Sequence, residues 1–145
     1  MKIAIGTDHR GFSYKEFIKK NLKKINNQII EWSDVGCYSS DTCDYPIFAK
    51  LVAQAVQSGE ADLGILLCGS GVGVSIAANR FKGIYAGLAW NEETARLGKE
   101  HDNVNVLVFP ADVVSEEMLI PMITAWLQAS FLGGRYQKRL EMIDE

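Results

Sequence analysis

The stretch Leu63 to Asn79, LGILLCGSGVGVSIAAN, constrains the fold more than any other part of the chain. Leu63 to Leu67 is a near-continuous apolar run ending at a thiol, the pattern of a strand buried on both faces of a parallel sheet. Gly69, Gly71 and Gly73 follow at a spacing of two, and Val74 to Asn79 returns to helix-forming composition. The unit is therefore strand, glycine loop, helix. Such a loop aims backbone N–H groups outward at the positive end of a helix dipole, which makes a binding place for anionic oxygens. Cys68 stands at its edge, where the dipole and the nearby donors favour a thiolate. Taken alone, a strand-end cysteine is more often core than catalytic. Glycines so closely spaced shift that balance, because they serve little packing purpose unless something must approach the backbone.

Three known phosphate or nucleotide motifs fail here at named positions. A P-loop requires Gly-Lys-Ser/Thr, but Gly73 is followed by Val74 and Ser75. A dinucleotide fingerprint requires glycine at position 74, and a phosphatase of the C-x5-R type requires arginine there; the residue is Val74. What survives is a thiol beside a backbone oxyanion cradle, a pairing suited to proton abstraction next to a carbonyl or to acyl transfer.

The 145 residues make one domain of common size, 1–145, with no repeat, low-complexity segment or linker. A net charge of −3 argues against a nucleic-acid-binding face. The lysines at 15, 19, 20, 23 and 24 read as the solvated side of one helix. Cys37, Cys43 and Cys68 are odd in number and lack C-x-x-C spacing, so neither a disulfide framework nor a metal site is indicated. No apolar run is long enough to span a membrane, and MKIAIG does not read as a leader. These features fit a reducing cytoplasm.

Taken in order, Lys2 to Ile5 is a first strand that empties into the polar loop Gly6 to Gly11. Ser13 with Glu16 forms a capping-box pattern, predicting a helix from about Tyr14. Gln28 to Trp32 is a second strand. Asp34 to Tyr45 is a loop of functional length, and Pro46 opens a helix with Ile47, Phe48, Leu51, Val52, Ala55 and Val56 at helical spacing. After the glycine unit come a fourth strand at 84–89, a helix capped by Asn91, a fifth strand at 104–109, a helix opened by Ser115, and a last helix at 135–143. The alternation predicts a Rossmann-like three-layer αβα sandwich on a five-stranded parallel sheet, with strand order 2-1-3-4-5. Ligands bind such sheets beyond the strands' carboxyl ends where the order reverses, which places Asp8 and His9 opposite Cys68.

Both histidines fall in polar loops. His9 follows a strand end, whereas His101 precedes a strand and should be remote from the site within one chain, unless it acts across a subunit boundary. Arg135 and Arg139 share a helix face and can fork a phosphate, although a solvated face is the plainer reading. An apolar stripe on that terminal helix, beyond Gly133-Gly134, points to docking on a second subunit.

GTDHRGF at 6–12, DYP at 44–46, CGSGVGVSIAAN at 68–79, EHDNVNVL at 100–107 and GGRYQKR at 133–139 resemble, in order and spacing, the type B ribose-5-phosphate isomerases, a family that includes galactose-6-phosphate isomerase subunits. The resemblance covers essentially the whole chain. It implies a metal-free, cofactor-free aldose–ketose isomerase acting on a phosphosugar, in a homodimer or higher assembly with shared active sites. Cys68 matches the base that removes the C2 proton, and His101 the residue that assists ring opening. Gly69, Ser70, Gly71, Val72 and Gly73 match the enediolate cradle, Asp8 and Tyr45 the sugar contacts, and His9, Arg135 and Arg139 the phosphate ligands. Two positions depart from the family's pattern. Asp102 stands where asparagine usually follows the histidine, and a carboxylate accepts rather than donates. Asp112 stands where another phosphate-binding arginine is common, which is expected to weaken phosphate affinity or move that contact elsewhere. A six-carbon phosphosugar as substrate, and a phosphosugar-binding module without catalysis, are the alternatives.

Overall fold

Apolar runs of the β-branched and leucine-rich kind pair as a parallel sheet, and the segments between them wind back as helices. In the computed structural model, which describes residues 1–145, β1 (Lys2–Thr7) passes through a 3-10 turn (His9–Gly11) into α1 (Phe12–Asn21). The short strands β2 (Lys24–Ile25) and β3 (Gln28–Ile29) form an antiparallel hairpin, followed by β4 (Glu31–Gly36) and α2 (Tyr45–Gln57). Then come β5 (Leu63–Cys68), α3 (Val72–Ala78), β6 (Ala86–Leu88), α4 (Glu92–Asp102), β7 (Val106–Pro110), α5 (Glu116–Gln128) and α6 (Arg135–Ile143). No helix is long and apolar enough to cross a membrane.

The five-stranded parallel sheet and its two helical layers are as the sequence predicts. The order is β4-β1-β5-β7-β6, so the last two strands of the expected 2-1-3-4-5 are exchanged, to 2-1-3-5-4. Burial explains the exchange. Every residue of β7 is buried, as an interior strand requires, whereas β6 is three half-buried residues around Gly87 and suits an edge. Right-handed crossovers then decide the layers. The steps from β1 to β4 and from β6 to β7 run one way across the sheet, so α1 and α4 share a face with α5. The steps through α2 and α3 run the other way, and those two helices cover the opposite face. The two cores follow the pleat: Ile3, Ile5, Ile65, Leu67, Leu107 and Phe109 meet α1, α4 and α5, while Ala4, Leu66, Cys68, Val106 and Val108 meet α2 and α3.

Two local expectations are corrected. The second strand divides, because Asn26 and Asn27 adopt left-handed φ of 49° and 64° and turn the chain into the small hairpin. Only from Glu31 does the chain join β1, in the register Lys2 to Glu31. Helix α1 starts at Phe12 with Gly11 as its N-cap and no side-chain cap. Continuity with the preceding 3-10 turn, itself capped by Asp8, displaces the predicted Ser13 cap.

The expected solvated lysine face is corrected as well: Lys23 and Lys24 lie beyond α1, and Lys15 is fully buried between α1 and the sheet, with its Nζ 2.5 Å from Asp34 Oδ2 and 3.2 Å from Glu16 Oε1. Asp34 also accepts from Lys19 Nζ at 2.6 Å and from the Gly36 N–H at 2.9 Å. Burial opposes the charge on Asp34, but the hydrogen bonds from Lys15, Lys19 and Gly36 outweigh it and hold the carboxyl below its ordinary value. A depressed pKa contributes stability that is present above the unfolded-state value and lost as pH falls through the folded one, so this contribution fades below about pH 4. Asp34→Ala strands the buried ammonium and is expected to cost about 3 kcal/mol. Urea unfolding at pH 7 and pH 3 checks both statements: the wild-type advantage over the variant should shrink at the acid end.

Candidate active site

Because β1 and β7 flank β5, three strand ends meet at the carboxyl edge of the sheet. They are tied by main-chain hydrogen bonds: the Asp8 N–H donates to Leu67 O at 3.4 Å, the Ala111 N–H to Cys68 O at 2.9 Å and the Asp112 N–H to Gly69 O at 3.0 Å. Cys68 ends β5 with its side chain on the α2/α3 side, only 4% exposed. It is packed with the aliphatic core, yet its sulfur also receives a hydrogen bond from the Gly71 N–H at 3.2 Å. Gly71, at a left-handed φ of 77°, turns the loop so that this N–H points back at the sulfur. A donor aimed at sulfur is the contact an anionic sulfur needs, and pure core packing does not supply one.

The loops around Cys68 bring up the other predicted groups of this half. Asp8 is buried and its Oδ1 accepts from the Arg10 N–H at 3.0 Å. His9 Nδ1 accepts from the Cys43 N–H at 3.3 Å, which leaves Nε2–H of the neutral ring as a donor toward an anion. Tyr45, the first residue of α2, lies so flat on Gly73 that a Cβ there would stand 2.5 Å from its Cζ. The Ser70 hydroxyl oxygen accepts from the Val72 N–H at 3.2 Å, which leaves its proton free to donate. Asp8, His9, Tyr45, Cys68 and the Gly69–Gly73 loop thus form one cluster.

His101, Asp102, Arg135 and Arg139 form another. Helix α4 runs back from the carboxyl edge, so its last turn lies near the start of β7, at the opposite end of the sheet. There the His101 ring stacks on Tyr136, with centroids 4.4 Å apart and planes 6° from parallel. The guanidinium carbons of Arg135 and Arg139 lie 5.0 Å and 5.6 Å from the centre of the same tyrosine ring. Helix α6 rests on α4 of its own chain through buried Leu140, with Met142 and Ile143 left exposed. A groove of about 870 Å³ beside it is lined by His101, Asp102, Leu140 and the β6 edge.

Sequence reasoning passed over Arg10. Its guanidinium pairs with Asp112, which lies 102 residues away, and no spacing rule joins two positions that distant. Asp112, one of the two departures from the family's pattern, therefore has a cation of its own beside it. The stacking of Tyr136 on His101 joins positions 35 residues apart, which no spacing rule connects either.

The family model described as Ribose/Galactose Isomerase matches residues 3–143. The ribose-5-phosphate isomerase B of Escherichia coli is 46% identical over 98% of this chain and 93% of its own length. The galactose-6-phosphate isomerase subunit LacB of Clostridium acetobutylicum is 40% identical over 100% of this chain and 83% of its own. A crystal structure of ribose-5-phosphate isomerase B from Mycoplasma genitalium with bound ribulose-5-phosphate superposes with a TM-score of 0.90 at 41% identity, covering 99% of this chain and 93% of that one.

Proposed function

The chain belongs to the ribose/galactose isomerase family and is an isomerase, and we propose that it interconverts ribose 5-phosphate and ribulose 5-phosphate through a cis-enediolate, with Cys68 as the base. The observation that carries this reading is the Gly71 N–H directed at the Cys68 sulfur, inside a loop of backbone donors. Sγ takes the proton from C2 of the open-chain aldose, and the electron pair forms C1=C2 while negative charge passes to O1. The Gly69–Gly73 amides and Ser70 receive that charge. A proton moves from the C2 hydroxyl to O1, and the thiol returns its proton to C1, leaving the ketose. Asp8 and Tyr45 hold the sugar hydroxyls, and His9 donates from Nε2 to the phosphate.

His101, Asp102, Arg135 and Arg139 act from a second copy of the chain. Their position at the opposite end of the sheet supports this, since one copy cannot bring both clusters to one sugar. The exposed Ile47 and Leu51 of α2 and Val72 and Ile76 of α3 offer an apolar face beside the glycine loop for that association. In the dimer His101 assists ring opening, Asp102 accepts from a sugar hydroxyl, and Arg135 and Arg139 close on the phosphate.

Equilibration of ribose 5-phosphate in D2O is the direct test: the recovered aldose should carry deuterium at C2 and the ketose at C1. Interconversion without any solvent label would instead favour an internal hydride shift and end the role given to Cys68. The LacB relative favours a second reading in which a six-carbon phosphosugar is the preferred substrate. The ratio of kcat/KM for the two substrates separates them, because the chemistry at C1 and C2 is the same. Membership in an isomerase family sets aside the non-catalytic module.

A further inference from the structure

The Arg10 side chain, half exposed, donates from Nε to Asp112 Oδ1 at 3.2 Å and from Nη2 to Asp112 Oδ2 at 2.5 Å. Two parallel bonds of this kind fix the plane of the guanidinium. Both partners are held from behind. The Arg10 N–H is bound by Asp8, and the Asp112 N–H donates to Gly69 O. The pair lies directly over Gly69: a Cβ there would meet Arg10 Nε at 2.7 Å and Asp112 Oδ2 at 2.8 Å. Glycine at 69 therefore has a use separate from the oxyanion cradle, which is to let an ion pair rest against the loop that begins at Cys68.

The fork to Asp112 uses only one edge of the guanidinium. Both Nη1 hydrogens and the outer Nη2 hydrogen remain without protein partners, and together they make a second edge suited to two oxygens of a tetrahedral anion. Arg10 follows His9, whose Nε2–H is also unspent. We propose that Arg10 is a substrate-binding residue of this isomerase, donating from its free edge to the phosphate beside His9, and that Asp112 is the positioning residue that holds the fork in place. The proposal rests on the phosphosugar reading above. It assigns a role to both members of a charge pair that would otherwise be one more exposed ion pair of negligible worth.

The test is steady-state kinetics with ribose 5-phosphate and competitive inhibition by inorganic phosphate, in wild type, Arg10→Ala, Arg10→Lys and Arg10→Ala/Asp112→Ala. Arg10→Ala removes the donor and uncovers the Asp112 carboxylate, so KM and the phosphate inhibition constant should rise together by about tenfold or more, with kcat changed far less. Arg10→Lys, a point charge without a fork, should recover little of this. The double variant should bind phosphate better than Arg10→Ala, because the repelling carboxylate is gone. Equal phosphate inhibition constants in all four proteins would overturn the proposal, whatever happened to their melting temperatures. Failure of the wild type to turn over ribose 5-phosphate would instead strike the functional reading, and calorimetric titration of inorganic phosphate into the same four proteins would still decide on Arg10.

Discussion

Replacement of Cys68 by alanine is expected to lower kcat for isomerisation by about 10³-fold, within the range for losing a positioned general base. The physical case is local. The sulfur sits at the end of β5 against the loop, and the Gly71 N–H donates to it at 3.2 Å. Alanine keeps the β-carbon packed against α2 and α3 and deletes only the sulfur. The fold should therefore persist, with a melting temperature within a few degrees of wild type and unchanged association. Cys68→Ser should remain almost as slow, because a hydroxyl is a far poorer base than a thiolate at neutral pH. The decisive measurement is the rate of deuterium incorporation at C2, which reports proton abstraction itself. A Cys68→Ala protein exchanging at more than about a tenth of the wild-type rate would require another base.

The second large effect is a gain rather than a loss. On the proposed mechanism Cys68→Ala and His101→Ala should each be nearly inactive, since the first loses the assigned base and the second the group assigned to ring opening. Within one chain these residues stand at opposite ends of the sheet, His101 stacked on Tyr136 and Cys68 beneath the glycine loop. If a site takes Cys68 from one copy and His101 from another, a mixed dimer carries one site with both defects and one with neither. Co-expression of the two variants should then restore about a quarter of wild-type activity, because half of randomly paired dimers are mixed and half of their sites are intact. A co-expressed preparation that stays as inactive as its parents, with mixed dimers verified by mass, would mean that each site is built from a single chain.

How far these residues can be read without coordinates depends on how local their signals are. Leu63 to Leu67 announces a buried strand by composition, Asn91 caps α4 through a reciprocal bond with Thr94, and Pro46 opens α2, all from contacts within a turn or two. The glycine loop is legible for the same reason. Three other points needed more than such a signal. The Ser13 cap lost to a 3-10 turn built from the end of β1. The exchange of β6 and β7 depended on which strand could be covered on both faces, a comparison between segments rather than a property of either. The significance of Asp112 could not be judged until Arg10 was found against it.

Alternation of apolar strands and amphipathic helices, and the glycine-flanked thiol, were determined by the sequence itself, because backbone propensity and hydrophobic periodicity act over a few residues. Tertiary structure alone decided that the end of β7, and not that of β6, adjoins Cys68, and that Arg10 faces Asp112 across Gly69. It also brought Arg135 and Arg139 to the tyrosine on which His101 stacks, at the end of the sheet where the sequence already expected that histidine. Those outcomes depend on the handedness of crossovers and on burial summed over the whole sheet, and no window of sequence contains either.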